Sequence, residues 1–152
     1  MKIDKLEILN FKNYETASLN FDRGVNLFVG SNGSGKTALL DAINVALGGF
    51  FGEQESKMQR MIELSEVRIR LTNGNPIRAE KTTIQASSAD IGGTWSRNFN
   101  SLTRNNDSKE SRLASSFGSK VLNSFLDPEN KEIAPFIAYY STQRMFKYVS
   151  QS

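Results

Sequence analysis

Gly30, Ser31, Asn32, Gly33, Ser34, Gly35, Lys36 and Thr37 form an uninterrupted G-x-x-x-x-G-K-T run. Its three glycines permit backbone angles closed to other residues and let main-chain N–H groups come close to an oxyanion. Gathered at the start of a helix, such N–H groups form a centre of partial positive charge suited to a polyphosphate. Lys36 adds a point charge for β- and γ-phosphate oxygens, and Thr37 a hydroxyl for Mg²⁺. The pattern is that of a nucleotide phosphate-binding loop, or Walker A motif. A plain Gly/Ser/Asn turn ahead of a helix would use the same residue types, so the flanking elements decide.

Those elements fit. Val25–Val29 is a continuous apolar run, which predicts a strand buried on both faces. From Gly35 to Leu47, Leu39, Ile43 and Ala46 or Leu47 recur at helical spacing, with Asp41 and Asn44 on the opposite, outward side. Gly48-Gly49 supplies the stop. Upstream, residues 2–10 and 15–22 alternate around a turn at Asn10–Tyr14 and predict an antiparallel hairpin. Residues 66–72 and 77–85 alternate around Asn73-Gly74-Asn75-Pro76 and predict a second hairpin, with a third strand at 93–99. The polar stretch 100–111 reads as loop, and Leu113, Phe117, Val121, Leu122 and Phe125 predict a helix over 111–126. Pro135–Tyr140 is a second buried run, followed at once by Ser141-Thr142-Gln143-Arg144. If it pairs with 25–29 in one parallel sheet, both C-terminal ends open on the edge where such sheets bind ligands.

Composition narrows the chemistry. The 152 residues suit one domain, with 38% hydrophobic and 23% charged residues. Cysteine is absent, which excludes disulfides, zinc–thiolate sites and thiol nucleophiles. Histidine is absent too, so no imidazole base or His–metal site exists. The charged start, Met1-Lys2-Ile3-Asp4-Lys5, does not read as a signal peptide, and no run of 18 apolar residues occurs. A cytoplasmic location with no membrane partner is expected. The net charge of +3 is compatible with nucleic acid but does not argue for it.

Three pieces of the chain resemble the N-terminal lobe of the ABC-type ATPase heads of the SMC and RecF families. Met1–Tyr14 looks like their opening strand and Asn-Phe-x-x-Tyr turn, Val25–Leu47 like their Walker A unit, and Phe136–Arg144 like the strand that carries their Q-loop glutamine. The likeness is strongest to bacterial stand-alone AAA ATPases labelled virulence- or defence-associated, including those of retron and Septu-like antiviral systems. The fold implied is α/β: a P-loop core with a flanking antiparallel β-subdomain. Its implied divisions are 1–50 (Walker A unit), 58–99 (β-subdomain), 100–132 (loop and helix) and 133–144 (Q-loop strand). The resemblance also implies ATP and Mg²⁺ as cofactors. Lys12, Asn13 and Tyr14 would then lie near base, ribose or phosphates, and Gln143 would join Thr37 at the metal. Implied partners are a second head, giving a homodimer or heterodimer closed through the ATP site, DNA, and an effector nuclease in repair or antiviral defence.

Two pieces of a working head do not appear. Val121–Asp127 is a poor Walker B run, interrupted by Asn123 and Ser124, and reads as the end of a helix. Ala89-Asp90-Ile91-Gly92-Gly93 has a signature-like look but falls among predicted strands. No catalytic residue is assigned, and the chain reads as the N-terminal part of a longer ATPase. Two alternatives remain: a self-contained small P-loop kinase or GTPase, and a non-hydrolysing nucleotide-binding interaction module. No Asp-x-x-Gly follows the loop and no Asn-Lys-x-Asp appears, which weighs against the GTPase.

Overall fold

The structure, a computed structural model, describes residues 1–51, 59–107, 109–126 and 137–140. The opening alternation folds as predicted. Strands β1 (Lys5–Phe11) and β2 (Tyr14–Asn20) pair antiparallel, closing on Phe11↔Tyr14. The two-residue turn between them puts Lys12 in the left-handed region, at φ 51°. Beyond the phosphate-loop candidate comes α1 (Lys36–Leu47). Next are β3 (Ile69–Thr72), β4 (Asn75–Arg78), β5 (Lys81–Ser88), β6 (Gly93–Asn100) and β7 (Asn105–Asp107), then α2 (Arg112–Leu126).

Five strands make one antiparallel sheet in the order β2-β1-β5-β6-β7, while β3 and β4 form a separate ribbon. Alternation explains the core. Leu6 and Ile8, Ile84 and Ala86, and Trp95 and Phe99 are buried. They form one cluster with Leu39, Ala42, Val45 and Ala46 of α1. Trp95 ties the layers together by donating its indole N–H to the Ala46 carbonyl at 2.9 Å. Its ring meets Phe50 edge-on at 5.4 Å, and Phe50 meets Phe117 of α2 at 6.0 Å. Gly118 is needed there, since a Cβ on it would lie 2.1 Å from the Phe50 carbonyl oxygen. On the sheet's other side, Glu110 accepts hydrogen bonds from Ser96 and Asn98, which hold its carboxyl below the usual range.

Four expectations change. Residues 77–85 are not one strand. The chain bends at Ala79 and Glu80, whose carbonyls accept from Ser101, and so passes from the ribbon into the main sheet. The polar stretch 100–111 includes β7, because the Asn106 amide pairs with both backbone groups of Ile62 at 3.1–3.2 Å, much as a strand would. Residues 25–29 form no strand: among the described residues none lies beside them to complete a ladder. Val25, Leu27 and Val29 are 95%, 82% and 85% exposed, and only Phe28 turns inward, onto Phe21 at 6.2 Å. Residues 137–140 are irregular as well; Pro135, Phe136 and Ser141–Arg144, Gln143 included, lie outside the described residues.

Trp95→Ala removes a ring that is 1% exposed, together with its bond to α1. A loss of about 3–5 kcal/mol in urea unfolding is expected, as for other large-to-small core changes.

Candidate functional site

The loop Gly30–Gly35 leads straight into α1. Gly33 and Gly35 have φ of 83° and 98°, in the left-handed region where side chains are disfavoured. Gly35 is the residue that caps α1, with no side-chain hydrogen bond to the cap and no acidic residue in the first turn. The first amides of a helix have no intrahelical acceptor, and here no side chain takes their place. Lys36 folds back over the loop. Its ammonium donates to the carbonyls of Gly30 and Ser31, both at 2.7 Å, and to the Ser34 hydroxyl at 3.3 Å. No carboxylate partners it among the described residues. Ser31, Asn32, Gly33, Ser34 and Thr37 are all exposed.

The β1–β2 turn packs against this loop. A Cβ at Gly35 would lie 2.6 Å from Asn13 Nδ2 and 2.8 Å from the Tyr14 hydroxyl, and that hydroxyl reaches the Gly35 carbonyl at 3.3 Å. Asn13 and Tyr14 therefore sit at the loop. Lys12 points elsewhere: its ammonium pairs with Asp41 on α1 and with Glu66, the latter at 3.3 Å.

Sequence reasoning missed the group around Asp41. Helical spacing places Asp41 outward, yet its side chain is only 14% exposed. It accepts from Lys12 through one oxygen and from the Tyr139 hydroxyl through the other. Burial, then the Asp41 hydrogen bond and charge, push the Tyr139 phenol up to about 12, so it stays a donor at neutral pH. Glu66 is 7% exposed at its side chain and also takes Arg60 at 2.5 Å. Two acids and two bases thus balance in one pocket, as burial of charge requires. The available signal was weak: Glu63-Leu64-Ser65-Glu66 spells a capping box, which the structure contains, but nothing in it points to Lys12. Among the described residues no cluster of three or more His, Cys, Asp or Glu is placed to hold a metal alone.

With that geometry in hand, comparisons with known proteins are informative. A family model described as an AAA domain matches residues 5–152. The chain belongs to that family. Its fold is that of an SMC/RecF-like ATPase-head N-terminal lobe. A DNA replication and repair protein RecF of Cytophaga hutchinsonii is 60% identical over 43 residues, which are 28% of this chain and 11% of that protein. A DNA double-strand break repair Rad50 ATPase of Thermoplasma acidophilum is 44% identical over 57 residues, covering 38% and 6%. The matches therefore span a small part of these relatives' length. A solved structure described as "Structural biochemistry of ATP-driven dimerization and DNA stimulated activation of SMC ATPases" superposes with a TM-score of 0.56 at 19% identity, covering 99% of this chain and 92% of that one. An SmcHead bound to the C-winged helix domain of ScpA gives 0.53 at 23% identity, covering 74% and 38%. At these identities the structural likeness speaks for the fold. Among the described residues no helix is long and apolar enough to cross a membrane.

Gly35→Ala tests the turn-on-loop packing. The strained φ alone costs about 1–2 kcal/mol, and the clash with Asn13 and Tyr14 adds to it. Paired with Asn13→Ala, which clears part of the space, the change should cost measurably less in urea melts.

Proposed function

We propose that this chain is the ATP-binding lobe of an SMC/RecF-like ATPase, with Gly30–Thr37 holding the nucleotide. The observation that carries the reading is the start of α1. Its first amides have no side-chain cap, its first turn carries no acidic residue, and the Lys36 ammonium rests on two loop carbonyls that a phosphate could replace. Such an N-terminus favours a bound anion. The residues fit ATP·Mg²⁺: loop amides and Lys36 would take phosphate oxygens, Thr37 the metal, and Asn13 and Tyr14 the adjoining wall. Mg²⁺, when bound, would neutralise charge on the transferred phosphate. Gln143 is proposed as the second group at the metal on the strength of the family resemblance.

Family membership supports ATP-dependent dimerisation as the working output, with the nucleotide shared between two heads and gating a DNA-directed activity. An effector nuclease in repair or antiviral defence is the finer form of the same proposal. The exposed run Val25, Leu27 and Val29 accords with a lobe whose sheet is completed by further polypeptide, which would also bring the Walker B carboxylates.

Lys36→Ala is expected to weaken ATP·Mg²⁺ binding in isothermal titration by about 100-fold, the loss of a charge-assisted contact of about 3 kcal/mol. Equal affinity in both proteins would remove the loop as the nucleotide site. A second expectation concerns turnover. Residues 1–152 alone should release phosphate from ATP at a negligible rate, since no catalytic carboxylate pair is recognised in them. Robust release that vanishes in Lys36→Ala would favour the self-contained kinase or GTPase.

A further inference from the structure

Residues 69–78 form a ribbon that the core does not use. The register is Ile69↔Arg78, Arg70↔Ile77, Leu71↔Pro76 and Thr72↔Asn75, and every one of these residues is exposed. A lone two-stranded ribbon is marginal in water unless something packs on it. This one is anchored at its root only. Arg68 N–H donates to Asn10 at 2.9 Å, Ala79 N–H to Arg68 at 2.9 Å, and Val67 bridges to Phe11. At the tip, Asn73 and Gly74 have φ of 51° and 77°, the left-handed pair of a tight hairpin turn. The result is a narrow arm with a small, polar end.

Charge gives the arm its character. From Arg68 to Lys81 the chain carries Arg68, Arg70, Arg78 and Lys81 against Glu80 alone. Among the described residues the Arg70 and Arg78 side chains have no ion pair or hydrogen bond. Strand alternation puts them on opposite faces of the ribbon: Arg78 stands with Ile69 and Leu71, Arg70 with Ile77. An acidic protein patch would meet one face. A duplex groove has two phosphate-lined walls, admits a two-stranded ribbon, and can take a guanidinium on each side at once.

We infer that the β3–β4 ribbon is an arm that grips the phosphates of duplex DNA. The inference rests on the reading of this chain as an ATP-binding lobe that serves a DNA-directed activity, and it names the surface that would make the contact. The arm's root also leads to the nucleotide loop. Arg68 Nη1 donates to the Asn13 carbonyl at 2.5 Å, and the Asn13 side chain abuts Gly35. A load on the arm would therefore be felt at the turn that walls the loop.

The test is fluorescence anisotropy of a labelled duplex of about 30 base pairs titrated with residues 1–152 across about 50 to 200 mM KCl, for the parent and for Arg70→Glu/Arg78→Glu. The parent should bind. The double variant should bind at least about tenfold more weakly, with the slope of log affinity against log salt smaller by about 2, one unit per lost phosphate contact. ATP titration of both proteins separates the two readings. If the variant loses DNA but keeps ATP, the arm is supported. If both proteins bind DNA equally, or the parent binds ATP but no DNA, the arm is overturned and the nucleotide site stands. If the parent binds neither, the nucleotide reading fails as well. Polyglutamate binding as tight as DNA and lost in the variant would overturn the nucleic-acid assignment in favour of an acidic protein.

Discussion

The candidate phosphate loop depends on the close approach of the β1–β2 turn to Gly35. With no side chain at Gly35, Asn13 and Tyr14 rest directly on the backbone where the loop becomes a helix. That contact sets where α1 begins, and so where its open amides point. The rest of α1 then follows from packing: Leu39, Ala42, Val45 and Ala46 seat on the sheet, and Trp95 fastens the helix's far end through Ala46. One end of α1 is thus fixed by a backbone that admits no Cβ and the other by an indole hydrogen bond.

The group around Asp41 acts between these two points. Lys12 comes from the turn, Asp41 from the helix, Glu66 and Arg60 from the segment that returns to the sheet, and Tyr139 from much later in the chain. Exchanging one partner for a neutral residue would strand a poorly hydrated charge, which costs more than the pair contributes. The arrangement joins four stretches distant in sequence beside the candidate nucleotide loop. It also keeps the Lys12 ammonium on α1 while its neighbours face the loop.

What was legible before the structure was what local rules govern. Alternation located β1, β2 and β6, helical spacing located α1 and α2, and the glycine pattern located the loop. Long-range pairing was not legible. Residues 77–85 alternate on Ile77 and Ala79 and then, one position out of step, on Thr82 and Ile84; the bend at Ala79 and Glu80 that takes up this slip is held by Ser101, far along the chain, which local pattern does not show. Asp41 is a further case: helical spacing places it outward, but Lys12, Glu66 and Tyr139 from three other segments close over it and leave its side chain only 14% exposed. For Val25–Val29 the apolar run describes a destination, a strand with neighbours on both sides, and the described residues provide neither.

That last segment has a consequence for the chain's life outside an assembly. Val25-Asn26-Leu27-Phe28-Val29 is short, β-prone, uncharged and free of proline, with its aliphatic side chains open to water. Segments of this kind recruit copies of themselves into stacked sheets when left uncovered. Fidelity of assembly and resistance to clumping are then the same problem. Whatever covers these five residues also acts as their chaperone, and the lobe's shelf life in isolation is set next door to its most functional loop.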